Sequence, residues 1–166
     1  MRAVTVIEGG VNILDVEIPK PKNNEVLVKV FSCGLNRADL MVADGGAHGS
    51  AGGSGTIVGM EFSGEVIEFG SDVTNLSVGD RVMCSGTSAW AEYAVTDWGR
   101  VIKIPDNNMD FITASTLPIA LGTMHNAIVT AGEFLKGQSI LCLLYTSDAA
   151  DDSLRVDLGG RRIIKK

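Results

Sequence analysis

Asn36, Arg37 and Asp39 crowd together just after Gly34, and a further carboxylate, Glu61, follows in the run Val58-Gly59-Met60-Glu61-Phe62-Ser63-Gly64. A carboxamide both donates and accepts hydrogen bonds and does not titrate, so Asn36 can hold a ligand's polar group at any pH. His48 lies in the glycine-rich stretch 45–55 and is the residue type that gives up a proton near neutrality. Each has a plainer reading. Asn36 also suits an Asx-type cap on the turn that follows it, and His48 a solvated loop position. Arg37 and Asp39 suit a surface ion pair of little energetic value. Glu61 suits a hydrogen bond that ties its strand to the domain. Cys33, Cys84, His48 and His125 match no metal-ligand spacing, so no metal is expected.

The elements that must position these residues are mostly strands. Val26-Leu27-Val28-Lys29-Val30 partly alternates apolar and polar residues and feeds into the Asn36 cluster, placing it at the mouth of a β domain. Residues 2–7 and 11–18 read as strands joined at Gly9-Gly10, a hairpin signal. Further strands are expected over 61–69, 89–95 and 101–104, and a short one entered through the turn at 78–82, with a short helical turn over 37–43 and a mobile loop over 45–55. Many short strands with turn signals at this spacing argue a closed or nearly closed barrel. After Pro105 the period changes. Asp110 can cap a helix starting at Phe111, and Leu117, Leu121, Met124 and Ile128 keep a helical spacing broken at Pro118. Residues 137–141 look like the start of a buried strand.

Composition bounds the rest. The chain has 166 residues, net charge −6, 45% apolar residues and 20 glycines. Without a basic stripe, nucleic acid is not an expected partner. No apolar segment is long enough to span a membrane, and no secretory leader is evident. Three cysteines form no disulfide pattern, so a cytoplasmic setting is expected.

The run from Phe31 to Leu40, with Gly-Leu-Asn-Arg-Ala-Asp-Leu at its centre, and the Gly-x-Glu-x-Ser-Gly that follows resemble one family. It is the medium-chain dehydrogenases/reductases, in their zinc-free, zeta-crystallin-like quinone oxidoreductase branch. The resemblance implies a mainly β, α+β architecture: a chaperonin-10 (GroES)-like barrel over 1–108. Residues 109–141 would be a linking helix and the first strand of a Rossmann cofactor domain. It also implies that Asn36 lies beside the nicotinamide, with Thr123 of Ala120-Leu121-Gly122-Thr123-Met124 contacting the cofactor nearby. Zinc-dependent relatives carry ligands where this chain has Asn36, Met60 and, roughly, Ile119. Only Glu61 of that constellation remains, and the four-cysteine structural lobe is absent, so no zinc is expected.

A Gly-x-Gly-x-x-Gly turn should follow residue 141 to receive the pyrophosphate. The chain instead continues Cys142-Leu143-Leu144-Tyr145-Thr146-Ser147-Asp148, a run that resembles the translation of a sequencing adapter. Residues 142–166 are therefore expected to be a non-native tail. The implied reaction is hydride transfer from NADPH, with NADH as the alternative, to a quinone or another α,β-unsaturated carbonyl. The chain as written is expected to be inactive. Asn36 and His48 are the candidate catalytic residues, and Asn36 and Thr123 the cofactor-binding ones. Two other readings stand beside this: an enoyl-thioester or alkenal reductase of the same superfamily, and a non-enzymatic GroES-like binding module. Family dimers pair through the cofactor domain, which leaves a homodimer open.

Overall fold

The computed structural model describes residues 1–105 and 108–141. The chain divides into two compact units, Met1–Pro118 and a second beginning at Ile119. The expectation for 142–166 lies outside the described residues.

The first unit is built on an antiparallel five-stranded sheet. Its strands are β3 (Glu25–Cys33), β6 (Glu61–Phe69), β7 (Arg81–Ser85), β8 (Tyr93–Asp97) and β9 (Val101–Lys103), in the order β8-β3-β6-β7-β9. A hairpin of β1 (Arg2–Ile7) and β2 (Gly10–Asp15) stands beside it. The even-numbered residues of β1 bond away from β2. Val4 N–H donates to the Trp90 carbonyl at 2.8 Å, Val58 N–H to the Val4 carbonyl at 3.0 Å, and Glu92 N–H to the Arg2 carbonyl at 3.1 Å. These bonds join the approach to β8 with the approach to β6, which gives the ring of pairing expected of a barrel and covers an otherwise open edge.

The core forms because inward positions of β3, β6, β7 and β8 carry compact apolar residues. Val26, Val28, Phe62, Val66, Val82, Cys84 and Ala94 make one cluster, each large side chain contributing about 1.5–3 kcal/mol by burial. The register of β3 against β6 slips twice, between Leu27 and Val28 and between Val30 and Ser32. The second slip is a bulge just before Asn36, and bulges re-aim the chain that leaves them. Gly64 sits opposite it: a Cβ there would overlap the Lys29 carbonyl oxygen.

Three expectations shift. The second strand ends at Asp15 rather than 18, because β1 runs out at Met1, whose carbonyl takes the last bond from Val16 N–H. The strand expected over 89–95 starts only at Tyr93; residues 89–90 bond to the 58–59 segment and β1, and Glu92 bonds to both β1 and β3. Within the glycine stretch, β4 (Ala47–His48) and β5 (Ala51–Gly52) form a two-residue hairpin.

A short helix, α1 (Arg37–Ala43), follows β3, and α2 (Phe111–Ser115) lies against the sheet. Asp110 caps α2, its carboxylate accepting from Thr113 N–H at 2.7 Å, as expected for an N-cap. Ser63 Oγ donates to the Phe111 carbonyl, Arg81 donates to the Met109 carbonyl at 2.6 Å, and Phe31 stacks on Phe111 at 4.9 Å. Helix α3 (Pro118–His125) begins at the last residue of the first unit and runs into a wider turn over Asn126–Thr130. Residues 138–141 form no strand, and Leu141 is 78% exposed. A central parallel strand is held by its neighbours, and none pairs with it among the described residues.

Candidate functional site

The bulge in β3 delivers the chain through Gly34 to Asn36, which occupies the N-cap position of α1 in extended backbone (φ −119°, ψ 153°). Asn36 and Asp39 form a capping box at the start of α1, with the Asn36 side chain facing the Asp39 N–H. Asp39 Oδ2 accepts from Asn36 N–H at 2.8 Å, and Asp39 N–H donates to the Asn36 carbonyl at 3.0 Å. The amide nitrogen of the same side chain has a second partner: Nδ2 donates to Glu61 Oε1 at 3.0 Å. All three side chains are buried, with Asn36 8%, Asp39 1% and Glu61 4% exposed.

Gly34 makes this pairing sterically feasible. Its N–H donates to the Glu61 carbonyl at 3.1 Å, and a Cβ at position 34 would fall on the Glu61 carboxylate, 2.7 Å from Cγ and 2.8 Å from Cδ. The Trp90 indole N–H approaches the Gly34 carbonyl at 3.5 Å, the outer limit of a hydrogen bond. Nδ2 thus faces Glu61, and the side-chain oxygen faces the Asp39 N–H at the start of α1.

The remaining candidates are dispersed. Arg37 is exposed at the start of α1, while Asp39 turns inward to the Asn36 N–H. His48 is half-buried in the β4–β5 hairpin, paired with Ala51. Thr123 is half-buried on α3 of the second unit. Glu61 bonds within the domain as expected, but to Asn36. The two residues read as separate in the sequence because they are 25 positions apart; the available signal was a glycine two residues before the asparagine, leaving room for a third group.

Neither described thiol is an activated one. Burial, and then the charge of Asp39, pushes Cys33 up from its ordinary value, and burial pushes Cys84 far above the thiol range. Protonated thiols are poor ligands and nucleophiles. No group of three or more His, Cys, Asp or Glu is placed to hold a metal ion among the described residues. An open groove of about 490 Å³ passes Val4, Ile13, Phe31, Cys33 and Trp90, with the exposed Arg2–Glu92 ion pair at its side. Asn36 is not among its lining residues.

A barrel-like β domain whose third long strand ends in a buried carboxamide–carboxylate pair is the arrangement to be placed. Residues 22–106 match the family of the alcohol dehydrogenase GroES-like domain. The chain belongs to this family, as the N-terminal domain of a medium-chain dehydrogenase/reductase of the quinone oxidoreductase branch. It is 35% identical over 146 residues to the mouse (Mus musculus) synaptic vesicle membrane protein VAT-1 homolog-like, covering 85% of this chain and 34% of that protein. It is 33% identical to the pig (Sus scrofa) quinone oxidoreductase, covering 81% of this chain and 44% of that one. Among solved structures, a mycobacterial protein complexed with NADPH superposes with a TM-score of 0.67 at 28% identity, covering 82% of this chain and 43% of its own. The chain thus spans less than half the length of these relatives.

Proposed function

We propose that this domain is the catalytic part of a zinc-independent, NADPH-dependent oxidoreductase that reduces a quinone or another α,β-unsaturated carbonyl. The observation that carries the reading is the Asn36 carboxamide. It is buried, oriented and neutral, and it sits in a family whose relatives include quinone oxidoreductases and a structure holding NADPH. When bound, the reduced nicotinamide supplies the hydride. The residues of this chain bind and orient. Asn36 offers Oδ1 to a hydroxyl of the nicotinamide ribose, and Thr123 is the second cofactor-binding residue. NADH is the alternative cofactor, distinguished by a residue at the ribose 2′ position beyond this domain. His48 is the proton donor available on this domain, with water as the other source. Asn36 and Glu61, a carboxamide and one carboxylate, do not make the three-ligand open site that catalytic zinc requires.

The activity requires a cofactor domain beyond residues 1–108, with 109–141 leading into it. No Gly-x-Gly-x-x-Gly follows residue 137 in the sequence, so the 166-residue chain by itself does not turn NADPH over. Residence in the cytoplasm fits this chemistry; no helix among the described residues is long and apolar enough to cross a membrane. The test joins residues 1–141 to the cofactor domain of the pig quinone oxidoreductase. The fusion is expected to oxidise NADPH with a small quinone, after dialysis against a zinc chelator, while the 166-residue chain does not. Turnover by the chain alone, or a fusion that folds and binds NADPH but reduces neither quinones nor enones, contradicts the proposal.

A further inference from the structure

We infer that Phe31 is a positioning residue: its ring, stacked on Phe111 of α2, holds the bulge that aligns the end of β3 with Glu61 and so fixes where Asn36 stands. The register shows what the bulge does. Val30 faces Gly64 and Ser32 faces Ser63, so Phe31 is the extra residue between two consecutive partners on β6. Beyond it Cys33 faces Phe62, and Gly34 N–H donates to the Glu61 carbonyl at 3.1 Å. Without the extra residue the later positions would slip by one, which turns each side chain to the other face. Cys33 rather than Gly34 would then lie against Glu61, and the space that the glycine leaves for the Glu61 carboxylate would be lost. A bulge leaves its extra residue out of the ladder, so it needs an anchor elsewhere. Helix α2 supplies one. Consecutive side chains of a regular strand point to opposite faces, yet residues 31 and 32 both reach α2. The Phe31 ring stacks on Phe111 at 4.9 Å with 18° between the planes, and Ser32 Oγ meets Ser115 Oγ at 2.9 Å. Phe111 and Ser115 are one turn apart, on one face of the helix. The Lys29 ammonium lies 5.5 Å from the Phe31 ring centroid and the Arg81 guanidinium 4.7 Å from that of Phe111, which adds cation–π attraction to the stack. Phe31 is 49% exposed, so filling the core is not what this ring does.

The coupling of Phe31 to Asn36 rests on geometry alone; its bearing on catalysis rests on the nicotinamide reading given above, and the experiment separates the two. In the ¹⁵N-labelled 166-residue protein, Phe31→Leu keeps an apolar side chain and removes the stack. The Gly34 backbone amide and the Asn36 side-chain amide both donate to Glu61. Both are expected to shift and to exchange with solvent about two- to tenfold faster, the worth of one aromatic pair. Phe111→Leu, a change on the far side of the stack, is expected to do the same. Phe31→Tyr, which keeps the ring, is expected to leave both signals in place. A contact that only stabilises the fold would lower the melting temperature without moving them. Unchanged Gly34 and Asn36 signals in a folded Phe111→Leu protein overturn the coupling, and that variant decides where Phe31→Leu does not fold. In the fusion of residues 1–141 with the pig cofactor domain, kcat/KM for NADPH is expected to fall several-fold in Phe31→Leu and to hold in Phe31→Tyr. If Phe31→Leu leaves it unchanged while Asn36→Ala lowers it, Phe31 has no part in the reaction. If Asn36→Ala leaves it unchanged as well, the nicotinamide reading fails, and the amide signals alone decide whether Phe31 positions Asn36.

Discussion

Asn36 shows how a residue type is assigned a role by what its neighbours do. Extended backbone at the start of α1 lets it share a capping box with Asp39, while its amide nitrogen reaches Glu61. Replacing the carboxamide by a second carboxylate tests the pairing. Asn36→Asp places two buried carboxylates about 3 Å apart, so one must be protonated or leave. The folded-state pKa of the pair is raised, so the variant's deficit grows as pH rises through that value and shrinks in acid. Chemical denaturation near neutrality should show a loss of about 3 kcal/mol, and a deficit independent of pH would mean the two side chains do not face each other. Gly34→Ala should cost about 1–3 kcal/mol through overpacking against Glu61, read by the same method. Asn36 and Glu61 were each visible in the sequence; their bond was not, because only the pairing of β3 with β6 brings residues so far apart together.

At the scale of elements, the sequence was most readable where local chemistry decides. Asp110 caps α2 and Pro118 opens α3, both signalled by side-chain type alone. It was least readable where a partner decides: β2 stops when β1 does, and residues 138–141 stay out of strand form without a neighbour. The clamp that holds α2 to the sheet is also tertiary. Ser63 Oγ donates to the Phe111 carbonyl, and Ser115 Oγ gives its proton to the Ile112 carbonyl while accepting from Ser32 Oγ at 2.9 Å. Ser63→Ala leaves the Phe111 carbonyl without that donor and should lower stability by about 1 kcal/mol. Amide exchange should report the loss in α2 before it appears in β6; equal loosening of both would show that α2 and the sheet open as one unit.

Across the whole molecule, the acidic balance is joined to folding through a few carboxylates at or near the surface. The Lys103 ammonium and then Ser77 N–H hold Asp80 below its ordinary value, Arg2 does so for Glu92, and Thr113 N–H for Asp110. A folded-state pKa below the unfolded one adds stability above the ordinary carboxylate range, and that stability is lost as pH falls through the folded value. Melting temperature should therefore fall on acidification below that range, and Asp80→Asn should flatten the slope; a wild-type profile that is flat in acid would contradict this. The central claim is that the oriented Asn36 carboxamide serves nicotinamide chemistry in this domain. Its most direct test is kcat/KM for NADPH in the fusion of residues 1–141 with the pig cofactor domain, for wild type and Asn36→Ala. A loss of about tenfold or more with the fold intact, the worth of a hydrogen bond to the bound cofactor, is the predicted result. An unchanged kcat/KM in a folded Asn36→Ala protein would contradict the account.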